Sequence, residues 1–348
     1  MNKINILIII ILATFISCKK EQSNPTNYNI KKGFYIVNEG NFTWGNSSLS
    51  FYNEENNTIE NDVFYKANNA VLGDVGNDMK IINNKGFICV NNSGLIYVIN
   101  PKNCKHIATI ADLVSPRYIL PVNDSLAYVS DLYSPYITII NTNKLTKYST
   151  INVGTSTEAM IKVENKVFVT SWSFNHFVYV INCINHSVID SISVGLQPQS
   201  IVVDKNNDIW VLCDGGYPGN PIGHEAPSLW QISANTHQIK NKIVFPSANY
   251  SARSLIINKN ADTLAFIYKD VYVFSINDTV FPSHSWLSSI NNNFYSIWYH
   301  PEKPWIIISD AKNFVKNGEV YIYNKNRQLI ANFEAGIIPS AFCYYKEN

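Results

Sequence analysis

Residues able to carry out acid–base or metal chemistry are few and scattered in this sequence. His224 and Glu225 are adjacent, but they do not form an HExxH motif, and no second histidine follows at a metal-ligand spacing. Neither a GxSxG nucleophile motif nor a phosphate-binding glycine loop occurs. A ring of carboxylates after successive strands could bind a cation, although acidic residues at such points more often cap turns. Its members would be Glu39, Asp131, Asp214 and Asp310. We therefore predict no catalytic residue and no metal site.

Aromatic residues in polar loops indicate binding rather than catalysis. Together with Asn, Arg and Gly they suit a large, flat, partly apolar ligand with polar edges, because the rings supply stacking area and the polar groups supply hydrogen bonds. The alternative is that individual rings pack under their own loops. The predicted ligand-binding residues are Phe42, Trp44, Arg117, Tyr133, Trp172, Phe174, Tyr217, His224, Arg253 and Phe314.

A short apolar, alternating segment recurs along the chain and predicts the elements that carry these loops. It is LSFYN at 49–53, and similar segments start at positions 96, 137, 178, 229, 271 and 320. A period of forty to fifty residues built from short strands is typical of a β-propeller. The sequence predicts an all-β, seven-bladed β-propeller with four-stranded antiparallel blades.

The order of strands within a unit predicts how the ring closes. The strand after each Gly- or Pro-containing turn is taken as innermost, the recurring segment as third, and the strand that follows it as outermost. The chain then begins with a second strand and ends with an innermost strand at 338–345, and pairing of these two strands leaves no open sheet edge. Second strands are expected to begin near Gly33, Gly86, Leu126, Lys166, Asp208, Thr263 and Trp305.

Loops between the second and third strands differ most in length, from two residues to the fifteen of DGGYPGNPIGHEAPS at 214–228. By alternation, they share one end of the propeller with the turns that lead to each innermost strand. Variation confined to one face of a repeat protein is typical of its binding face. Those turns carry Asn77, Arg117, Glu158, Gln199, Arg253, Tyr295 and Ser340.

The N-terminal residues predict a lipoprotein signal rather than part of the fold. Lys3 precedes an apolar run at 6–16 that is too short to span a bilayer as a mature helix. Ser17 directly before Cys18 resembles a bacterial lipobox, which predicts a signal peptide over 1–17 and lipidation of Cys18. A plain membrane anchor is the alternative. We expect residues 18–32 to form a lipidated, flexible tether and residues 33–348 to form the propeller.

The composition does not support nucleic-acid binding or a scaffold held together by disulfides. The formal net charge is +1 and no long basic run occurs, so nothing favours nucleic-acid binding. Hydrophobic residues make up 46%, aromatic residues 13% and charged residues only 15%, as expected for strands packed in sheets. Beyond Cys18 there are five cysteines and no CxxC, so buried free thiols are expected rather than a disulfide framework.

Two segments resemble a known family. GFYIVNEGNFTWGNSSLSFYN at 33–53 resembles the first blade of lipoprotein propellers from Bacteroidota, in which a v-N-E-G-N-f…G-s-l-s-y-y run follows the lipidated tether. The Val-Gly…Pro-x-x-Ile-x-Val-Asp pattern at 194–204 is similar to YncE-like, surface-layer-type seven-bladed propellers. The resemblance extends over essentially the whole mature chain.

The resemblance implies a function that the residues alone do not give. Well-understood members of this group are surface lipoproteins that bind cobalamin on one propeller face and cap a TonB-dependent outer-membrane transporter. The resemblance implies a corrinoid ligand, such a transporter as partner, and an outer-membrane location at the cell surface. We expect no enzymatic turnover. Two alternatives stay open: a protein-interaction or adhesion propeller, and a metal-dependent, lactonase-like hydrolase that would use the channel carboxylates.

Overall fold

The computed structural model describes residues 24–347. The predicted signal peptide, residues 1–17, and the predicted lipidation site Cys18 lie outside the described residues. Within the described range no helix is both long enough and apolar enough to cross a membrane. The five cysteines in this range are all buried and free, as predicted.

Twenty-seven strands and one short helix make up the described chain. The elements of the first half are β1 (Lys32–Asn38), β2 (Ser48–Asn53), β3 (Thr58–Glu60), α1 (Val63–Asn68), β4 (Gly76–Ile82), β5 (Lys85–Val90), β6 (Leu95–Ile99), β7 (His106–Ile110), β8 (Pro116–Pro121), β9 (Leu126–Asp131), β10 (Tyr136–Asn141), β11 (Thr146–Asn152), β12 (Met160–Val163), β13 (Lys166–Thr170), β14 (Phe177–Asn182) and β15 (Ser187–Ser193). Those of the second half are β16 (Pro198–Val203), β17 (Asp208–Cys213), β18 (Ser228–Ser233), β19 (Ile239–Val244), β20 (Ala252–Ile257), β21 (Thr263–Tyr268), β22 (Asp270–Ser275), β23 (Phe294–Tyr299), β24 (Trp305–Asp310), β25 (Asn317–Asn324), β26 (Leu329–Ile337) and β27 (Pro339–Lys346).

These strands form seven antiparallel sheets, which confirms the predicted seven-bladed propeller. The first blade has the order β27-β1-β2-β3, and each later blade uses consecutive strands. The second strands of the blades are β1, β5, β9, β13, β17, β21 and β24, and each begins within one residue of its predicted start. The innermost strands β27, β4, β8, β12, β16, β20 and β23 contact one another in this order around a closed ring.

The sixth blade departs from the four-stranded pattern. It consists of β20, β21 and β22 alone. Residues 276–293, which lie where a fourth strand is expected, make a single β-bridge to β22, between Val271 and Leu287. Their other contacts with β22 are side-chain contacts, such as that of the Phe281 ring with the Tyr272 ring. The segment therefore leaves part of the outer edge of β22 without a partner strand.

The core is divided into seven clusters, one between each pair of neighbouring blades. Successive side chains of a strand point to opposite faces of its sheet, so a central strand supplies two interfaces at once. In β1, Phe34 and Ile36 pack against the seventh blade, whereas Tyr35 and Val37 pack against the second. This explains why β1 and the other second strands are buried along nearly their whole length.

The two ends of the described chain close the ring, as predicted. Strand β27 pairs with β1, and Phe34 lies opposite Tyr344 while Ile36 lies opposite Phe342. Gly33 at the start of β1 has φ 154°, and a Cβ there would lie 2.0 Å from the carbonyl oxygen of Tyr52. A glycine is therefore needed where β1 enters the sheet.

The described part of the tether lies on the propeller instead of extending freely. The Thr26 amide donates to the Lys66 carbonyl at 2.7 Å, and the Ile30 amide donates to the Lys102 carbonyl at 2.8 Å. The Ile30 side chain is 5% exposed and joins the cluster between the first and second blades. The polar composition of this segment did not indicate these contacts.

Candidate functional site

The loops that follow the second strands lie at one end of the propeller, here called the loop face; the opposite end is called the turn face. These loops bond directly to the connections that precede the innermost strands. The Asp214 amide donates to the Gln197 carbonyl at 3.1 Å, and the Thr157 amide donates to the Asp131 carbonyl at 2.8 Å. The predicted sharing of one face by both sets of loops is therefore present in the structure.

Seven residues, one from each blade, meet on the propeller axis at the loop face, and Glu39 joins them. This group, here called the hub, lines a small cavity of about 130 Å³. The chain crosses into each innermost strand at an equivalent point, so the fold repeats one side-chain position around the axis. The hub residues are Asn77, Arg117, Glu158, Gln199, Arg253, Tyr295, Ser340 and Glu39.

An ion pair between two blades fixes one side of the hub. The Arg117 guanidinium donates to both carboxylate oxygens of Glu158, at 2.6 and 2.9 Å. Burial alone would lower the pKa of Arg117, but the carboxylate of Glu158 outweighs it and raises that pKa. The Asn77 side-chain amide donates to the Arg117 carbonyl at 2.7 Å, which extends the network to the second blade.

The other side of the hub holds a second carboxylate and a second guanidinium that do not pair with each other. The Tyr295 hydroxyl donates to Glu39 at 3.0 Å, and Arg253 lies over the Tyr295 ring, 4.9 Å from its centroid. Burial raises the pKa of Glu39, while Arg117 opposes the shift. Burial and the charge of Glu39 raise the pKa of Tyr295. Among the described residues, Arg253 makes no ion pair, so its guanidinium is available to a ligand.

Six of the predicted binding residues form an exposed aromatic rim around the hub. They come from the loops of five blades, and Trp44 and Tyr133 are the most exposed, at 72% and 67%. The Phe314 ring contacts the Tyr295 ring at 6.0 Å between centroids, which joins the rim to the hub. Large aromatic rings exposed in this number mark an interaction surface. The rim consists of Phe42, Trp44, Tyr133, Phe174, Tyr217 and Phe314.

Two other predicted binding residues hold loops in place. The indole N–H of the half-buried Trp172 donates to Asp214 at 2.6 Å. The Nε2 atom of His224 bonds to the Ala248 carbonyl at 3.0 Å, across to the connection that enters the sixth blade. Both residues lie at the loop face, but the Trp172 indole N–H and the His224 Nε2 are already bonded to protein.

Three of the four carboxylates that follow the second strands cap turns. Asp131 accepts the amides of Ser115, Tyr133 and Ser134. Asp214 accepts the Gly216 amide in addition to Trp172, and Asp310 accepts the amides of Asn293 and Lys312. Only Glu39 points into the hub. Among the described residues no three His, Cys, Asp or Glu side chains converge as a metal site would require.

A groove of about 630 Å³ leads outward from the hub over the sixth blade. It exists because β21 and β22 are joined through Lys269 alone, so no loop covers this sector. Arg253 borders both the groove and the hub, and Tyr250 forms part of the outer wall with Lys269 over its ring. Its volume falls within the range of roughly 300–1,000 Å³ that small-molecule sites occupy.

Sequence reasoning missed this groove, although one signal for it was available. The sequence shows that the connection at Lys269 is very short, but the length of a loop does not by itself indicate that a path to the axis is open there. The exposed Tyr250 and Ile290 beside the groove also lay outside the prediction.

Comparisons with known proteins agree with the fold. Among solved structures, a quinoprotein alcohol dehydrogenase-like protein from Bacteroides thetaiotaomicron has a TM-score of 0.69 at 12% identity, covering 92% of this chain and 79% of that chain. A protein from Lactobacillus plantarum has a TM-score of 0.68 at 10% identity, covering 91% and 100%. A dihydro-heme d1 dehydrogenase in complex with DHE has a TM-score of 0.60 at 9% identity, covering 92% and 77%. At these identities the likeness is one of fold alone.

Sequence comparison places the chain in a family. No curated protein matches the chain. The family model described as "Domain of unknown function (DUF5074)" matches residues 32–335, which extend from β1 almost to the end of β26. The chain therefore belongs to the DUF5074 family.

Proposed function

We propose that this protein is a lipid-anchored binding protein whose loop face captures a large, flat, amphiphilic ring ligand, a corrinoid. The aromatic rim around a polar hub is the observation that carries the proposal. A corrin is a broad ring with amide side chains. Its faces suit stacking on aromatic rings, and its amides suit hydrogen-bonding groups near the axis.

The size of the hub determines how such a ligand would bind. A cavity of about 130 Å³ is smaller than the roughly 300–1,000 Å³ of sites that enclose a small molecule. The ring would therefore lie across the face on the rim, and only a side group would enter the hub. Asn77, Gln199 and Ser340 offer neutral donors and acceptors there, and Arg253 offers a cation. The groove beside Arg253 gives room for a bulkier substituent.

The state of the carboxylates favours binding over turnover. Asp131, Asp214 and Asp310 accept hydrogen bonds from their own loops, which leaves them poorly placed to hold a hydrolytic metal. A propeller of the same fold is described as a dihydro-heme d1 dehydrogenase in complex with DHE, so this architecture is compatible with a heme-type ligand. That protein is named as an enzyme; for the present chain we propose binding without catalysis.

The direction of β1 is consistent with an anchored receptor. β1 runs from the turn face at Lys32 to the loop face at Asn38. Lipidation at Cys18 would thus attach the protein from the side of the turn face and leave the loop face open. We propose that the anchor lies in the outer membrane at the cell surface, and that the captured ligand passes to a TonB-dependent transporter.

Isothermal titration tests the proposal. The chain from residue 19 is titrated with cyanocobalamin and then with cobinamide, which lacks the lower nucleotide. Tight binding of both is expected, because the proposed contacts are with the corrin ring. Binding of cyanocobalamin but not of cobinamide would show that the protein recognises the lower nucleotide. A folded sample that gives no heat with either ligand would refute the corrinoid proposal.

A protein-binding loop face is the second candidate, and one observation favours it. Exposed aliphatic side chains accompany the aromatic rim on connections at the same face, which makes the apolar surface broad. They are Val71, Val114, Ile290 and Val315. Surfaces of this kind bind proteins as readily as flat ligands. Failure of both titrations, together with retention of a surface protein on the immobilised chain that is lost in Trp44→Ala, would favour this function.

A further inference from the structure

A further cavity lies at the turn face, far from the hub, between the sixth and seventh blades. It has a volume of about 440 Å³ and is here called the turn-face cleft. A fourth strand in the sixth blade would run along β22 beside Val273. Instead the chain leaves the sheet after Ser275 and pairs with β22 again only at the Val271–Leu287 bridge, so no strand covers Val273, which lines the cleft. The loss of one strand thus accounts for the opening.

The floor of the cleft is apolar and built from both blades. Val273 and Trp286 come from the sixth blade, and Tyr299 and Ile306 come from the seventh. Trp286 packs edge-on against Tyr323 at 6.0 Å between ring centroids, which fixes the indole as one wall. The Tyr299 hydroxyl makes no hydrogen bond within the described chain, and burial raises its pKa, so it stays a neutral donor. An apolar floor with one free hydroxyl suits the body of an amphiphilic molecule.

The mouth of the cleft is basic. Lys259, Lys303 and Lys325 come from three separate turns. Lys303 is already paired with Glu54 at 2.7 Å and lies over the Trp305 ring. Lys259 and Lys325 are exposed and form no ion pair within residues 24–347.

The acidic residue at the mouth does not cancel this charge. Glu302 bonds to Lys32 at 3.2 Å and to Lys346 at 3.0 Å. Two uncompensated ammonium groups therefore stand at the entrance to an apolar cleft.

We propose that the turn-face cleft binds a soluble amphiphilic anion, a molecule with one apolar body and one carboxylate. The body would lie against Val273, Trp286 and Ile306, and the carboxylate would lie between Lys259 and Lys325. The cleft is recessed between two blades, so a single molecule must enter it, which favours a free ligand over a lipid held in a bilayer. This site is separate from the loop face and independent of a corrinoid.

Titration of the chain from residue 19 with dodecanoate below its micelle concentration tests the proposal. Calorimetry is expected to show one bound molecule per chain, and tryptophan fluorescence is expected to change. Dodecan-1-ol should bind about tenfold more weakly, because it lacks the charge that two lysines attract. Added salt should weaken the binding of dodecanoate and leave the binding of the alcohol unchanged.

Matched variants locate the site. K259E/K325E should lower dodecanoate affinity by about tenfold or more through charge repulsion. K85E/K144E makes the same charge change at the start of β5 in the second blade and in the turn between β10 and β11 in the third blade, and it should have no effect. Trp286→Phe should keep most of the affinity but lose the fluorescence change. Far-UV circular dichroism confirms that each variant is folded.

Several outcomes would overturn the proposal. The first is that dodecanoate does not bind. The second is that both lysine double variants lose the same amount of dodecanoate affinity. The third is that Trp286→Phe keeps the fluorescence response. Binding to phosphatidylglycerol vesicles that depends on Lys259 and Lys325, without binding of monomeric dodecanoate, would also overturn it and would identify a membrane-contact surface.

Discussion

Arg117 and Glu158 occupy the same position in consecutive blades, 41 residues apart, and form a two-point ion pair across the blade boundary. The Glu158 side chain is 2% exposed and that of Arg117 is 17% exposed. The pair places two opposite charges beside the axis and holds both in fixed positions. A ligand group entering the hub thus meets oriented donors and acceptors rather than mobile side chains.

Replacement of Glu158 by Gln should destabilise the propeller. The substitution leaves the Arg117 guanidinium buried without its counter-charge, which typically costs about 3 kcal/mol. Urea unfolding followed by intrinsic fluorescence measures the change. The control is Glu60→Gln, which breaks the exposed pair with Lys66 and should leave the midpoint unchanged. Equal midpoints for the two variants would show that the hub pair contributes nothing beyond an ordinary surface contact.

Two tyrosines of the third blade give a matched test of the aromatic rim. Tyr133 lies on the loop face at 67% exposure, and Tyr148 lies on the outermost strand β11 at 63%. Tyr133→Ala should weaken cyanocobalamin and cobinamide binding by about tenfold through lost stacking. Tyr148→Ala removes the same ring from the side of the blade and should bind as the unmodified protein does. If the two variants bind equally, the rim takes no part in recognition.

Much of the fold could be predicted because the strands that build the interfaces carry a clear pattern. The second and third strands face neighbouring blades on both sides, and their alternating apolar residues repeat at the blade period. The same period placed Asn77, Arg117, Glu158 and their equivalents on one face. The outermost strands could not be predicted as well, because they are largely exposed and few contacts constrain their residues. For the same reason, the sequence did not indicate that the sixth blade lacks its outermost strand.

The details of the site depend on contacts between distant residues, which a local pattern does not encode. The bond from Trp172 to Asp214 joins residues 42 positions apart, and that from Tyr295 to Glu39 joins residues 256 positions apart. Residue type alone could not tell Trp172, whose N–H is engaged, from Trp44, which is exposed. The groove at Lys269 likewise arises from the absence of a loop.

A buried histidine at the seam between the first and seventh blades should make stability depend on pH. The His300 Nδ1 accepts the amides of Glu302 and Lys303, and its Nε2 donates to Glu54 at 2.5 Å, so the ring is neutral. Burial lowers the pKa of His300, although Glu54 opposes the shift. The unfolded chain therefore takes up the proton first, and stability should be full above a pH of about 6.5 and fall as the pH drops below it.

Urea unfolding at several pH values between about 8 and 5 measures this dependence, because histidine gains its proton within that range. His300→Gln should lower stability at neutral pH and flatten the dependence, because the titrating group is gone. The exposed His284 provides the comparison: His284→Gln should keep the unmodified profile. A profile that stays the same in His300→Gln would assign the pH dependence to another group.

Removal of the last strand should abolish cooperative folding. β27 is the innermost strand of the first blade and lies between β4 and β23, and its Phe342 and Cys343 belong to the core clusters on either side. A chain that stops after Ile338 leaves the inner edge of β1 unpaired and opens both clusters, so the ring has no closure. We expect loss of the near-ultraviolet circular dichroism signal and of a sharp urea transition. A chain that stops after Lys346 retains all of β27 and should unfold as the full chain does. A cooperative transition with an unchanged midpoint in the shorter chain would show that the six other blades hold the propeller together without the terminal seam.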